Sequence, residues 1–392
     1  MDRELAMNPP GSVRILEIFM TDEVAEAKKL MHSIIQRVAT GPELSKDIDQ
    51  EEARGGMLAV LDGHVDPVQS AIYLIGLRMK RETPEENRGI LDAIIDRMDR
   101  VTADVDELVD IGDPYDGYNR TLPASPFLPA VMAACGVPAV SHGMETVSPK
   151  FGVTHRQIIR AAGKNDSLTP QQAAEQIADS NVGWAYVDQS QFCKKLNDLM
   201  DFRTLVIKRP PITTIETETM PIKARGKTHH VCGYVHKPYP PVYAMLAAHS
   251  GFDTSLLVRG IEGGVIPSLR QPGKLFSFEG ETVVREADPS PQELGFDHDL
   301  RAVPVPDSCK QDSGGIDEVT GDYNREAFAK AALEAGLAAL GGEKGMTYDA
   351  LVYGGANILW HIGRHDELTA AADEIRGVLD SGEALKRFNA SV

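Results

Sequence analysis

Residues 65–86 read VDPVQSAIYLIGLRMKRETPEE and contain two helix starts of the same design. Asp66-Pro67 sets a side-chain acceptor before a proline, whose missing N–H loses no bond at the first helical position; Thr83-Pro84-Glu85-Glu86 repeats the device. The second helix carries Ile90, Ile94, Ile95 and Met98 at helical spacing. Upstream, Thr21 or Asp22 caps a segment with Val24, Ala27, Leu30, Met31, Ile34, Ile35 and Val38 on one face, stopped by Gly41. Asp49 and Glu52 start a further helix over Ala53–Leu61, followed by Gly63. Four amphipathic helices on short connections predict a small helical lobe over residues 15–103, joined by a helical segment near 168–200.

Beyond Asp104 the pattern changes. Short β-branched runs at Leu108–Ile111, Val137–Val140, Thr204–Ile207, Val231–Val235 and Ser255–Val258 alternate with helical patterns near 125–135, 154–162, 170–179 and 240–249. Alternation of this kind predicts a mostly parallel sheet covered on both faces, an α/β lobe over 104–392. Leu275–Phe278 and Thr282–Val284 read as a hairpin turning on Glu279-Gly280. Residues 286–321 are rich in Pro, Asp and Gly and read as loop. Helices return at Asp322–Leu340, Tyr348–Ile362 and Asp366–Leu379.

Composition narrows the functional classes. The chain of 392 residues is 42% hydrophobic and 25% charged, which excludes a disordered or fibrous protein. Lys and Arg number 40 against 58 Asp and Glu, a formal charge of −18. A surface given over wholly to phosphate or membrane binding is therefore excluded, whereas a local basic groove is not. Cys135, Cys193, Cys232 and Cys309 are dispersed, with no CxxC, and read as reduced thiols rather than a disulfide frame or zinc site. Met1–Arg14 lacks a secretory leader and no apolar run reaches about 18 residues, so a soluble, cytoplasmic protein is expected.

Four stretches carry candidate chemistry. Gly112-Asp113-Pro114-Tyr115-Asp116-Gly117-Tyr118-Asn119-Arg120-Thr121 follows a strand, where α/β proteins place ligands, but a plain turn fits equally. His142-Gly143 lies at another strand end; His142 is either a phosphate donor or base, or a buried histidine held by backbone. Arg259-Gly260 and the following glycines, with Arg270 and Lys274, suggest an anion site or a crossing in which glycines serve geometry alone. Lys194–Lys237 holds nine Lys/Arg against four Asp/Glu, including Lys208, Arg209, Arg225 and Lys227, either a basic patch or a solvated face. His361 and His365 have i, i+4 spacing without an HExxH, which fits histidines at a helix C-terminus better than a metal pair.

The LRMKRETPEE piece (Leu77–Glu86) resembles the helical signature of the anthranilate phosphoribosyltransferase family, glycosyl transferase family 3. The similarity continues in order through Gly136-Val137-Pro138, His142-Gly143, Phe202-Arg203-Thr204 and Leu257-Val258-Arg259-Gly260, from about 50 to 360. It implies the two-lobed class II nucleoside phosphorylase-like fold, a homodimer, and transfer from phosphoribosyl pyrophosphate. The family's GTGGD loop and NxST turn correspond to GDPYDGYNRTL, its KHGNR to Ser141–Glu145, its anthranilate arginine to Asn197, and its GPLxNP to Arg209–Ile212. The magnesium Asp-Glu pair falls on Val265-Ile266, so magnesium is not expected at the family site and no metal site is assigned. YDGYNRTLPASPFLPAVMAACGVPAVSHG (115–143) and the Arg-Gly-x-Glu-Gly turn resemble the divergent YbiB-like branch, associated with sequence-independent nucleic-acid binding.

Two readings follow. In the first, a phosphoribosyltransferase-like protein with degenerate phosphate and magnesium sites, not using anthranilate, holds a phosphorylated ribose or nucleotide-like molecule. Its anion-binding candidates are Asn119, Arg120, Thr121, His142, Gly143, Arg259, Gly260 and Arg270. In the second, a non-catalytic relative binds nucleic acid through Lys208, Arg209, Arg225 and Lys227. Neither reading involves a membrane, and neither assigns a cofactor.

Overall fold

A computed structural model describes residues 22–41, 43–311 and 323–392. Thr21, the Met1–Arg14 stretch, residues 312–321 of the long loop and Asp322 lie outside the described residues.

The first four helices form as their punctuation dictates: α1 (Asp22–Val38), α2 (Gln50–Leu61), α3 (Pro67–Lys80) and α4 (Pro84–Ile95). Asp49, Asp66 and Thr83 each accept from the first-turn backbone, and Glu52, Gln69 and Glu86 each reach back to close a capping box. Glu86 does more than cap. Fully buried, it also accepts from Ile48 N (3.0 Å) and Lys80 Nζ (2.8 Å), tying three segments together.

The larger lobe follows as β1 (Val101–Thr102), β2 (Glu107–Gly112), α5 (Leu128–Ala134), β3 (Ala139–Gly143), α6 (His155–Ala161), α7 (Pro170–Ala178) and β4 (Trp184–Asp188). Short helices α8 (Gln189–Phe192), α9 (Lys194–Asn197), α10 (Met200–Val206) and α11 (Ile212–Ile215) lead to β5 (Ile222–Lys223), β6 (Lys227–Gly233), α12 (Pro240–Ser250) and β7 (Thr254–Val258). A hairpin, β8 (Leu275–Glu279) and β9 (Thr282–Ala287), and helices α13 (Arg325–Leu340), α14 (Met346–His361), α15 (Leu368–Asp380) and α16 (Glu383–Ala390) complete it. The main sheet has order β4-β3-β2-β6-β7-β8-β9, its first five strands parallel and the hairpin antiparallel.

Strand periodicity divides the core. Leu108, Val140, Ala185 and Val187 pack with the helical lobe and with residues of α7, α8, α9 and α11, whereas Val109, Ile111, Ala139, Trp184 and Tyr186 pack on the opposite face with α5 and α13–α16. Successive side chains on a strand point to opposite faces, so one short strand serves both cores.

Two sequence expectations are corrected. Thr204–Ile207 is not a strand: Thr204–Val206 end α10, whose Arg203 is drawn to a buried carboxylate, and Ile207 leaves the helix at φ 67°. Tertiary pairing here overrides β-branched propensity. The helical segment near 168–200 is interrupted by β4, a run buried on both faces that shows no alternation. Glu383–Ala390 forms a last helix that the punctuation did not reveal. The hairpin stands as read, with Gly280 at φ 56° in its turn.

Candidate functional site

The chain leaves β2 for β3 and β4 on one side, while β6 leads to β7 on the other, so the connections that leave these two paired strands part at their C-terminal ends. That switch point is the natural crevice of a parallel sheet. The Asp113–Thr121 loop fills it. Tyr118 and Val153 exchange backbone bonds of 2.9 and 2.8 Å, and Gly117 and Gly152 allow the close approach, since a Cβ on either would meet backbone at 2.5–2.6 Å.

Asn119, Arg120 and Thr121 converge as the sequence suggested, but on a side chain of the protein itself. Asn119 N donates to Glu262 Oε2 (3.2 Å), and Arg120 N and Thr121 Oγ1 donate to Glu262 Oε1 (3.1 and 2.9 Å). Two amides and a hydroxyl aimed at one carboxylate make an anion cradle. Glu262 enters it from a turn at φ 55°, ψ 17°, a left-handed conformation that costs a non-glycine residue roughly 1–2 kcal/mol. Lys150 spans the rim: its Nζ donates to Glu262 O (3.2 Å) and lies 3.2 Å from Asp116 Oδ1. Arg209 closes on Asp116 Oδ2 at 2.6 Å. Behind the loop, a recess lined by Tyr118, Thr121, Ser125, Ile261 and Ile266 holds about 30 Å³, about one water molecule.

His142 and Gly143 lie within β3 rather than beyond it, because the strand starts later than its sequence run. His142 Nε2 meets Asp110 Oδ1 at 2.9 Å, and its Nδ1 bonds to the Tyr115 hydroxyl. Burial and the neighbouring carboxylates raise the Tyr115 pKa well above its ordinary value. This buried Asp–His–Tyr relay is a means of holding a proton, with no exposed atom to receive an anion. Asp113 is likewise consumed, accepting from Tyr118 Oη (3.0 Å) and Ser125 Oγ (2.9 Å) beside His155 (2.9 Å).

The remaining anion candidates do not join the cradle. Arg259 and Arg270 are exposed, and no bond from either guanidinium reaches the loop among the described contacts. Gly260 serves backbone packing: a Cβ there would stand 1.6 Å from Gly264 O. The four basic-patch residues are divided. Lys208 and Arg209 follow α10 near the C-terminal edge of β2, not a strand end as expected, whereas Lys227 begins β6 opposite Glu107 at the N-terminal edge. Arg225 pairs with Asp104 (2.6 Å) and Asp106 (3.1 Å) there. His361 is buried between Thr254 Oγ1 and Ser277 Oγ (2.8 Å each), and burial holds its pKa well below the ordinary histidine value, so it is not a charge complementing the helix dipole.

Magnesium does not fit the family position. Val265 is 1% exposed and packs in the core with Ile266, while Val265 N is bonded to Asp113. The nearby carboxylates Asp113, Asp116 and Glu262 are already matched to histidine, lysine, arginine and amides, which leaves none of the three to hold magnesium. Lys150 lay outside every sequence candidate, and Asp113, Tyr115, Asp116 and Glu262 lay inside candidate stretches without a role of their own; a glutamate among the glycines of RGIEGG was the available signal for the last.

Comparison with known proteins agrees with this architecture. The model of the glycosyl transferase family, helical bundle domain, matches residues 32–98. An uncharacterized protein of Aquifex aeolicus is 30% identical over 227 residues, 58% of this chain and 67% of that protein. The anthranilate phosphoribosyltransferase of Sphingopyxis alaskensis is 27% identical over 359 residues, 91% of this chain and 98% of the enzyme. The chain belongs to the anthranilate phosphoribosyltransferase-like glycosyl transferase family 3. The structure of anthranilate phosphoribosyltransferase from Saccharomyces cerevisiae in complex with PRPP and Mg superposes with TM-score 0.68 at 13% identity, covering 94% of this chain and 97% of that one. At that identity the likeness fixes the glycosyl transferase family 3 fold, a helical bundle with an α/β lobe, and nothing finer. Among the described residues no helix is long and apolar enough to cross a membrane.

Proposed function

We propose that this family member is a phosphoribosyltransferase-like protein whose phosphate cradle is occupied by its own Glu262 and whose magnesium carboxylates are replaced, so that it does not transfer phosphoribosyl groups to anthranilate. One observation carries the reading: the Asn119 and Arg120 amides and the Thr121 hydroxyl are all spent on the Glu262 carboxylate. A second carboxylate-sized anion cannot use the same donors while that side chain stays in place. Any phosphorylated ligand therefore has to displace Glu262 toward Lys150 and open the loop.

Division of Lys208, Arg209, Arg225 and Lys227 between two ends of the sheet, with both arginines paired to aspartates, weighs against one continuous nucleic-acid groove. The family's dimeric habit finds support in α3, where Val68, Ile72 and Met79 are 66%, 40% and 76% exposed along one helical stripe. The decisive assay incubates the full chain with phosphoribosyl pyrophosphate, magnesium and anthranilate and follows loss of anthranilate fluorescence. No turnover is expected; turnover with unaltered Glu262 would overturn the proposal.

A further inference from the structure

We propose that Glu218, His230 and Cys232 form a binding site for a thiophilic first-row dication, zinc foremost, between the Glu216–Glu218 turn and strand β6. The site is separate from the phosphate cradle, and its test does not depend on that reading. One ligand atom from each of the three residues lies within 4.8 Å of the other two, and the residues are 0%, 0% and 2% exposed.

The backbone explains the convergence. His230 and Cys232 stand at i and i+2 on β6, so both point to the same sheet face. The turn can lie over that face because the neighbouring strand offers Gly112, where a Cβ would come 2.7 Å from Thr217 O. Glu218 is thereby brought in from twelve residues upstream.

Hydrogen bonding prepares the imidazole as a ligand. His230 Nε2 lies 3.2 Å from Thr217 O, and a carbonyl can only accept, so Nε2 carries the proton and Nδ1 presents a lone pair. A backbone carbonyl on the far ring nitrogen is the usual outer support of a metal-bound histidine. Nδ1 faces Glu218 Oε2 at 3.4 Å, and both atoms are buried without a hydrogen-bond partner. The other carboxylate oxygen accepts from Thr217 Oγ1 (3.2 Å). Two acceptors facing one another beside a buried sulfur require a proton or a cation between them, and a dication can take the proton's place while also bonding the sulfur.

Charge balance favours the exchange. Ionised groups are costly at full burial, so without metal one proton rests on the Glu218 carboxyl facing His230 Nδ1 and another on the Cys232 sulfur. On binding, the Cys232 S–H and Glu218 O–H bonds break, two protons leave to solvent, and bonds from sulfur, oxygen and Nδ1 to the dication form. Two charges enter as two leave, so the core gains no net charge and the penalty for burying an isolated ion is avoided. Bonds of about 2.0 Å to nitrogen and 2.3 Å to sulfur require ligand atoms roughly 3.3–3.7 Å apart, so the trio draws together around the ion. Thiolate and imidazole select against magnesium and calcium.

The test uses the full chain, stripped with chelator and titrated with zinc and cobalt. The expected result is retention of a single ion per chain, proton release on zinc addition, a rise in melting temperature, and a sulfur-to-cobalt charge-transfer band. That band should disappear in Cys232→Ala and persist in Cys193→Ala, which removes another buried thiol. His230→Gln and Glu218→Gln should weaken zinc binding by more than the roughly 10–100-fold cost of losing an outer partner. Absence of both metal retention and the cobalt band in the unaltered chain overturns the proposal, and needs no variant to fold. A band that survives in Cys232→Ala overturns it equally.

Discussion

Replacing Glu262 tests the self-occupied cradle directly. Glu262→Ala removes the acceptor of Asn119 N, Arg120 N and Thr121 Oγ1 but keeps a Cβ in the left-handed turn. Hydrogen bonds to a charged group contribute about 1.5–3 kcal/mol each. Arg120 is exposed and Thr121 half-buried, so water recovers much of this, and a net loss of about 2–3 kcal/mol is expected. Glu262→Gly loses the same bonds but escapes the left-handed penalty of roughly 1–2 kcal/mol, so it should unfold at higher urea than the alanine variant. Inorganic phosphate, at ionic strength matched with chloride, then discriminates. Both variants should be stabilised by it, by about 2.7 kcal/mol at a hundredfold excess over the dissociation constant, while the unaltered protein responds little. The readout is urea unfolding with and without phosphate. Equal phosphate stabilisation of the unaltered protein, or none in either variant, would refute the reasoning.

Other consequences are simpler to state. Arg203 and Glu216 form a bidentate pair at 2.7 and 2.8 Å, each side chain 1% exposed, so Arg203→Ala should cost about 3–5 kcal/mol by stranding a buried carboxylate, measured by urea unfolding. His361 is neutral in the fold, so its contribution is fully present above the unfolded pKa of about 6.5 and is lost as pH falls below it, by about 1.4 kcal/mol per pH unit until the lowered folded pKa is reached. His361→Gln should flatten that part of the stability–pH curve. For the proposed dimer contact through α3, Val68→Glu with Ile72→Glu should leave the protein monomeric in light scattering, where the unaltered chain is dimeric, without changing the far-ultraviolet dichroism, since both side chains are exposed.

Local chemistry carried the sequence a long way in the helical lobe. Asp49, Asp66 and Thr83 cap helices because a side-chain oxygen and a first-turn amide are covalent neighbours, whatever surrounds them. The Glu279-Gly280 turn was legible for the same reason. Strands were less secure: β4 has no alternation because both its faces are buried, and Thr204–Val206 entered a helix because Arg203 found Glu216.

The site divides along the same line. Sequence placed Asn119, Arg120 and Thr121 on a polar loop after a strand, and the family resemblance set Val265-Ile266 where it would expect magnesium carboxylates. It could not say that a glutamate 141 to 143 residues further on fills the loop's amides. Nor could it reveal that a glutamate on a turn completes the His230-x-Cys232 pair. Sequence alone determined the helix starts at Asp49, Asp66 and Thr83 and set Asn119, Arg120 and Thr121 on one loop, because these depend on near neighbours in the chain. Only the tertiary structure decided what those donors hold, which cations share a surface and which buried acids stand without a cation, because a folded sheet sets residues side by side regardless of their distance along the chain.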